Sequence, residues 1–518
     1  MTTAPPHSRR LALLAAAPLL LTACMSLAPD YERPALPVPA RLDAGAPEQP
    51  ADAAPLPAPG PQAFVQPPRL RALLGQALAD NRDLRQSLLA VERARALYGV
   101  SRADLWPTVS AGAGAGRART ADDLTAAGRA STTSQYSASI GLASYEIDFW
   151  GRVRNLNEAA LQEFLRSQDN LQSARIALVA ELTQAWVALD ADARRLQLAR
   201  ATLQARQQQL QLTAQSHRLG AASALTLAQV QTTVDSARVD LAATQAQVAR
   251  DRNALDLLAG GPVPAQWLPP SATADVPAPA APSLDQATRT MTEQAHRALL
   301  TAPVTALPAV APNLPSSVLL ARPDVQAAER TLVASHAQIG VARAAFFPSI
   351  TLTASAGTAS DELSRLFAGG NGTWSFAPQI RLPLLDGGRN RANLRAAELA
   401  RDSAQAQYEK AIQSAFREVR DALADRVTLD ERLQAQQSLV AASEQALELS
   451  QARWRLGADN YLSVLDAQRS LYAAQQGLIA LQQAEQDNRV ALYRALGGQW
   501  RGADTAQPRA DNGTSGAD

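Results

Sequence analysis

The chain has 518 residues with 49 basic against 48 acidic side chains, a formal net charge of +1, so no overall field selects nucleic acid or an acidic partner. Its hydrophobic content is 47% but only 4% is aromatic, a palette of Ala, Leu, Gln and Arg that favours extended helices over a ring-rich core. Four histidines (His7, His217, His296, His336) and a single cysteine, Cys24, argue against a zinc site or a disulfide framework.

In chain order, the first feature is Arg9-Arg10 ahead of an apolar stretch from Leu11 to Leu21, closed by LTAC ending at Cys24. A basic start, a short apolar run and small residues before a cleavage point make a secretory signal peptide over 1–23. LTAC resembles a bacterial lipobox, which implies cleavage before Cys24 and covalent lipid on it; an ordinary signal peptide with an incidental cysteine is the plainer alternative. Met25 in place of Asp is compatible with sorting to the outer membrane. A lipidated, Pro-rich segment over 24–68 follows. Beyond Cys24 no run of 18 apolar residues occurs, so any bilayer crossing must be made by strands.

The rest reads as two copies of one unit. At a shift of 237, Gly151-Arg152 falls on Gly388-Arg389, Gln231 on Gln468 and Gly260-Gly261 on Gly497-Gly498, without a gap. Upstream the shift is 241: Asp83 falls on Asp324, Gly99 on Gly340, Arg102 on Arg343 and Pro107 on Pro348. Such a period is far longer than solenoid repeats and indicates internal tandem duplication of a whole structural unit. The repeats run over 69–261 and 322–498, with a Pro/Ala-rich linker over 262–321 and a polar tail over 499–518 expected to be disordered.

Each copy reads helix, hairpin, very long helix, turn, helix. The first has helices over about 69–105, 152–219 and 223–258, the second over about 324–346, 389–456 and 460–496. Leu182, Leu189, Leu196, Leu203 and Leu210 recur every seven residues, as do Leu227, Val234, Leu241, Val248 and Leu255. That period predicts left-handed supercoiling against neighbouring helices. Taken alone, the heptads fit a plain antiparallel coiled-coil spacer equally well.

Before each long helix the pattern changes to alternation. Tyr136, Ala138, Ile140 and Leu142 alternate with Ser137, Ser139 and Gly141, and Ile350 and Leu352 with Ser349, Thr351 and Thr353. Trp374, Phe376, Ile380, Leu382 and Leu384 interleave with Ser375, Gln379 and Arg381. After Thr108 the chain is mostly Ala and Gly and carries the pattern weakly. Four strands are predicted, over about 108–118, 135–147, 349–358 and 373–384, each with one apolar and one polar face. A half-buried soluble sheet shows the same alternation; a lipobox and a duplicated hairpin turn it towards the outer membrane. Four strands cannot close a barrel with a lumen, and an open edge is not viable in lipid, so the chain must oligomerise. Two copies give eight strands and three give twelve, and counting does not choose between them.

The segments APDYERP, YEIDFWGRVRN, LPLLDGGRNRANL and RWRLGADNYLSVLDAQRSLYAAQQ, with LTAC and the terminal ALGG, together resemble the TolC-like outer-membrane efflux protein family. The resemblance is to its lipoprotein (NodT-type) branch, paired with resistance-nodulation-division pumps, and spans nearly the whole mature chain. It implies a mostly α fold with membrane β: a trimer whose 12-stranded outer-membrane β-barrel continues into a 12-helix periplasmic α-barrel, the linker forming an equatorial belt. It implies a passive exit duct with a periplasmic adaptor, an inner-membrane resistance-nodulation-division transporter and outer-membrane lipid as partners. No nucleic acid, no metal, no cofactor beyond the lipid on Cys24 and no enzymatic activity are expected, and no P-loop, nucleophile elbow or metal-ligand cluster occurs. A type I protein-secretion exit channel of the same fold and a non-conducting coiled-coil lipoprotein scaffold are the competing readings.

The repeated turns Arg218-Leu219-Gly220 and Arg455-Leu456-Gly457 read first as helix-hairpin turns, glycine closing one helix and Ser223, or Asp459 or Asn460, capping the next. The resemblance adds that both lie at the periplasmic tip and receive the adaptor's hairpins, Arg218 and Arg455 supplying charge and Leu219 and Leu456 apolar contact. It places the constriction on Leu462 and Asp466, with Arg453 and Arg455 holding the closed state by charged hydrogen bonds. Asp466 corresponds to Gln229 and Leu462 to Leu225, so the second hairpin is the expected mover and the first the frame.

Overall fold

The computed structural model describes residues 26–42, 64–126, 128–273, 307 and 315–499. Cys24 and the expected signal peptide over 1–23, most of the expected linker and the tail from residue 500 lie outside the described residues. Helices α1 (Pro68–Asp80) and α2 (Arg82–Ala103) lead into strands β1 (Val109–Thr120) and β2 (Ser131–Glu146), then helices α3 (Arg152–Arg218) and α4 (Ala224–Ala259). The order recurs in α5 (Pro323–Ala344), β3 (Ser349–Ser360), β4 (Gly372–Arg381), α6 (Arg389–Arg455) and α7 (Tyr461–Ala495). The long helices α3 and α6 have 67 residues each. Among the described residues no helix is long and apolar enough to cross a membrane.

Two compact units divide the chain: Met1–Ala35, Leu89–Asp169 and Gln326–Lys410 form the first, and Leu36–Leu88, Asn170–Val325 and Ala411–Asp518 the second. The first holds one antiparallel sheet in the order β1-β2-β3-β4. Its registers bring the alternation of separate strands onto common faces, because directly paired residues project to the same side. Val109 pairs with Leu142, Ala111 with Ile140, Ala115 with Tyr136, Ile140 with Ala356, and Ala354 and Ala356 with Phe376 and Trp374. On the other face Gly112 pairs with Ser139, Gly114 with Ser137, Gly141 with Ser355, and Ser355 with Ser375. The Ala-Gly run of β1 therefore obeys the rule in miniature, alanines on the apolar side and glycines on the polar one.

That polar side is concave. A Cβ built on Gly141 comes 2.9 Å from the Ser355 Cβ, and one on Gly357 comes 2.7 Å from the Ser139 Cβ. Ordinary cross-strand partners stand about 4.5–5.5 Å apart. A bulge between Leu142 and Tyr145, with Ser144 at φ 53, adds bend and returns Tyr145 to the apolar face. Beneath the sheet the DFWGR stretch ties strand to helix. Arg152 forks onto Glu146 (2.7 and 2.5 Å), the Arg154 N–H donates to Asp148 (2.8 Å), and the Trp150 indole donates to Pro348 O (2.9 Å). The first described residues lie along α5, where Tyr31 and Arg33 both bond Glu329 (2.8 Å each).

In the second unit α3, α4, α6 and α7 pack through narrow apolar stripes. Val187, Ala191 and Leu198 of α3 meet Ile479 of α7, and Val440 of α6 meets Ala474 and Leu478. Each fully buried aliphatic side chain of this kind contributes roughly 1.5–3 kcal/mol. Of the heptad residues, Leu182, Leu189, Val234, Val248 and Leu255 are buried, while Leu196, Leu203, Leu210, Leu227 and Leu241 are half-buried. The start of the linker docks on α3, with the Trp186 indole donating to Trp267 O (3.1 Å) and Ser271 to Asp190 (2.5 Å).

One expected element is corrected. The stretch 69–105 is not a single helix but breaks at Asn81 (φ −60, ψ 128). The Asn81 side chain accepts from the Leu84 N–H and donates to Leu258 O, both at 2.9 Å. The break leaves the first N–H groups of α2 without intrahelical acceptors; the Asn81 side chain serves one of them as a cap while its amide anchors the joint to Leu258.

Candidate functional site: the paired helix turns

Both RLGA turns belong to the second unit and share one geometry. In the first, the Gly220 N–H donates to His217 O (3.0 Å) and the Ala221 N–H to Ser216 O (2.8 Å). In the second, the Gly457 N–H donates to Trp454 O and the Ala458 N–H to Arg453 O, both at 2.9 Å. Gly220 (φ 75) and Gly457 (φ 72) take the left-handed conformation that ends a helix in this way. Of the cap candidates, Ser223 accepts the Thr226 N–H (3.1 Å) and Asn460 accepts the Ser463 N–H (3.3 Å). Leu219 and Leu456 project into solvent, 85% and 84% exposed.

Beyond the shared turn the copies diverge. The His217 Nδ1–H donates to Ala222 O (2.8 Å), whereas Trp454, its counterpart, sits edge-on to Tyr461 at 5.2 Å. Tyr461 packs with Val464 and Leu465 against Val230 of α4, with Leu210 and Leu447 alongside, so the second hairpin leans on the return helix of the first. Burial pushes the Tyr461 hydroxyl up to about 12.

Charge is distributed differently from the pairing expected within one turn. Arg453 meets Asp459 (3.4 Å), and Asp466 meets Arg469 (3.3 Å) one turn further along α7; both Asp466 and Arg469 are exposed. Arg455 has no ion pair among the described residues. The structure thus gathers Arg453, Asp459, Asn460 and Ser463 at the turn, and within one chain does not bring Arg453 to Asp466. The Asn460 N–H (2.9 Å), the Ser463 hydroxyl (3.1 Å) and then Arg453 hold the Asp459 carboxyl below the usual carboxylate range. Leu462 is half-exposed and Leu225, its counterpart, more so. Asp459, by sequence only a cap candidate, is thus the charge partner of Arg453, and Arg469 that of Asp466. The i,i+3 spacing of Asp466 and Arg469 was the available signal.

Among the described residues no group of three or more His, Cys, Asp or Glu stands where it could hold a metal ion. Two carboxyl groups do meet inside the helical packing: Asp251 of α4 faces Asp192 of α3, which is also held by Arg195.

An apolar-faced sheet joined to paired 67-residue helices that end in matched turns defines a channel of the outer-membrane efflux type, and comparison with known proteins agrees. The family model described as outer membrane efflux protein matches residues 73–261 and 314–498. The chain belongs to that family and is an outer-membrane efflux channel. It is 41% identical over 496 residues to the toluene efflux pump outer membrane protein TtgC of Pseudomonas putida, covering 95% of this chain and 96% of that one. To the outer membrane protein OprJ of Pseudomonas aeruginosa it is 43% identical over 482 residues, 93% and 94% of the two chains. The open-state MtrE outer membrane channel of Neisseria gonorrhoeae superposes with a TM-score of 0.75 at 34% identity, covering 92% of this chain and 98% of that one.

Proposed function

We propose that three copies of this chain assemble into a 12-stranded barrel continued by a helical barrel, forming the passive exit duct of a tripartite efflux pump. The observation that carries this reading is a four-stranded sheet with one apolar face, one polar face and two open edges, β1 and β4. In lipid those edges must be paired, and only further copies supply the strands. An internal duplication accounts for the two RLGA turns, which dock a periplasmic adaptor through Arg218, Leu219, Gly220, Arg455, Leu456 and Gly457. An inner-membrane resistance-nodulation-division transporter supplies the energy, and the duct itself performs no chemistry. Leu462 and Asp466 form the periplasmic gate, with Arg453 and Arg455 beside it, and lipid on Cys24 anchors the mature N-terminus.

Purified from outer membranes, the protein is expected to size as a trimer and to conduct ions in planar bilayers. A monomer, or a trimer without conductance, overturns the proposal.

A further inference from the structure

Resting on the trimeric reading above, we infer that β4 of one copy closes on β1 of the next in a single register, with Ile380 opposite Ala113. This register sets Phe376 and Trp374 of one copy beside Arg117 and Arg119 of the other.

The register follows from the equivalence of the two hairpins. Val109 pairs with Leu142 in the first, and Ile350 with Ile380 in the second. Val109 and Ile350 are related by the shift of 241 that also relates Pro107 to Pro348, so Leu142 corresponds to Ile380. The β2–β3 junction, where Leu142 faces Ala354, then has as its counterpart Ile380 facing Ala113 of the next copy. A second route starts below the bulge. Tyr145 faces Leu352 there, and their counterparts are Leu382 and Ala111. The two routes give the same register, because β4 lacks the extra residue that β2 carries.

Hydrogen-bond phase agrees. The Ala359 N–H bonds Asn371 O (3.0 Å) and the Ile147 N–H bonds Ile350 O (2.9 Å), so odd residues of β3 bond towards β4 and even ones towards β2. Carried across the sheet, the alternation leaves even residues of β4 and odd residues of β1 aiming their backbone groups at the open edges. Ile380 and Ala113 satisfy that parity. Pro378, which has no N–H, falls opposite Ala115 of the next copy in this register, so that pair keeps only one of its two hydrogen bonds.

Side chains fit as well. On the concave face of the β2–β3 junction each close pair contains a glycine, Ser139 with Gly357 and Gly141 with Ser355. In the inferred register Arg381, Gln379 and Ala377 fall opposite Gly112, Gly114 and Gly116 of the next copy. This gives the Ala-Gly run of β1 a physical reason. On the apolar face, Arg117 and Arg119 are the only charged strand residues, and neither has an ion pair among the described residues. Opposite Phe376 and Trp374, 62% and 81% exposed in the single chain, each guanidinium gains an aromatic face within cation–π reach.

The test pairs Ala118→Cys with Ser375→Cys, opposite each other in this register; their counterparts Ala359 and Ser137 pair within the chain with side chains on both. Cys24 is left in place, and the otherwise native chain sets the baseline. After mild oxidation of outer-membrane vesicles, non-reducing gels are expected to show covalent dimers and trimers about tenfold above those from Ala118→Cys with Thr373→Cys or with Ala377→Cys. Strongest cross-linking in an offset pair, or none in any pair of a chain that sizes as a trimer, overturns the register and leaves the trimer standing. A native chain that sizes as a monomer overturns the trimeric reading instead. Independently, a Cβ at Gly116 meets nothing within 4 Å in the single chain, yet Gly116→Val is expected to lower the heat-dissociation temperature of the trimer by about 5–10 °C. An unchanged dissociation temperature also overturns the register.

Discussion

Asn81 and Arg322, 241 positions apart, each donate a side-chain hydrogen bond to a carbonyl at the end of a return helix, Leu258 O (2.9 Å) and Ala495 O (2.6 Å). Those acceptors are themselves 237 positions apart. Beside each lies a glycine with positive φ, Gly260 (78°) against Asp80 and Asn81, and Gly497 (75°) against Arg322. The same joint therefore closes both halves of the second unit, with a neutral donor in one and a cation in the other. Arg322 carries more, forking onto Asp324 (3.0 and 2.7 Å) and reaching Glu418 (2.9 Å) with its side chain only 7% exposed.

Arg322→Met is expected to destabilise the chain by about 2–4 kcal/mol, because it leaves two carboxylates and a carbonyl without their donor. Asn81→Ala loses a cap and one hydrogen bond, about 1–2 kcal/mol. Arg322→Asn, which copies the first joint, is expected to fall between. Guanidinium unfolding in detergent measures all three, and an Arg322→Met chain no weaker than Asn81→Ala defeats the assignment.

Gly260 and Gly220 separate backbone strain from crowding. A Cβ on Gly260 meets Asp80 O at 2.4 Å, whereas one on Gly220 meets nothing within 4 Å, although both have positive φ (78° and 75°). Gly220→Ala is expected to cost about 1 kcal/mol and Gly260→Ala at least about 2 kcal/mol. Equal unfolding midpoints for the two variants contradict the crowding.

The Asp192–Asp251 contact makes stability depend on pH. Burial, and then the Asp192 carboxyl, push Asp251 up to about 6, while Gln247 donates to it (2.8 Å) and Arg250 opposes the shift. The folded-state value lies above the unfolded one, so the folded chain holds the extra proton between about pH 4 and 6. Stability at this site is full below that window and falls as pH rises through it. Asp251→Asn is expected to stabilise by on the order of 1 kcal/mol at pH 7.5, after allowing for solvent screening, and by nothing near pH 4. Unfolding midpoints at the two pH values measure it, and a gain independent of pH removes the carboxyl pair as its cause.

At the second turn, Asp466→Ala with Arg455→Ala is expected to change single-channel conductance, and Asp466→Asn to lower the cation-to-anion permeability ratio about two- to threefold. Asp459→Asn, which frees Arg453 from its partner in the turn, is expected to alter the closed-to-open ratio with less effect on selectivity. Planar-bilayer recordings distinguish these. Unchanged currents in the double variant remove Asp466 and Arg455 from the gate.

Much of this was legible in the residues, and the failures share a cause. The apolar positions of Tyr136, Ile140, Trp374 and Phe376 reveal strands because alternation is a local property. The break at Asn81 is not legible in the sequence because helical periodicity runs through it; the distant carbonyl of Leu258 anchors it. Likeness marks Arg453 as a gate residue without naming its partner; inside the chain the nearer Asp459 takes it, since a turn brings close residues together first. Asp192 and Asp251 gave no sign of each other, lying on different helices.

By itself the sequence determined a repeated order of elements, the long helices, the glycine-closed turns and a strand pattern with two unlike faces. Each of these rests on periods, punctuation or self-similarity that a few neighbouring residues set. Only the tertiary structure decided that β1 to β4 lie side by side with every large apolar residue on one convex face, and that Gly141 and Gly357 admit no side chain on the other. Register and curvature depend on which distant backbones approach and how closely. That is a property of the whole sheet, and no single strand encodes it.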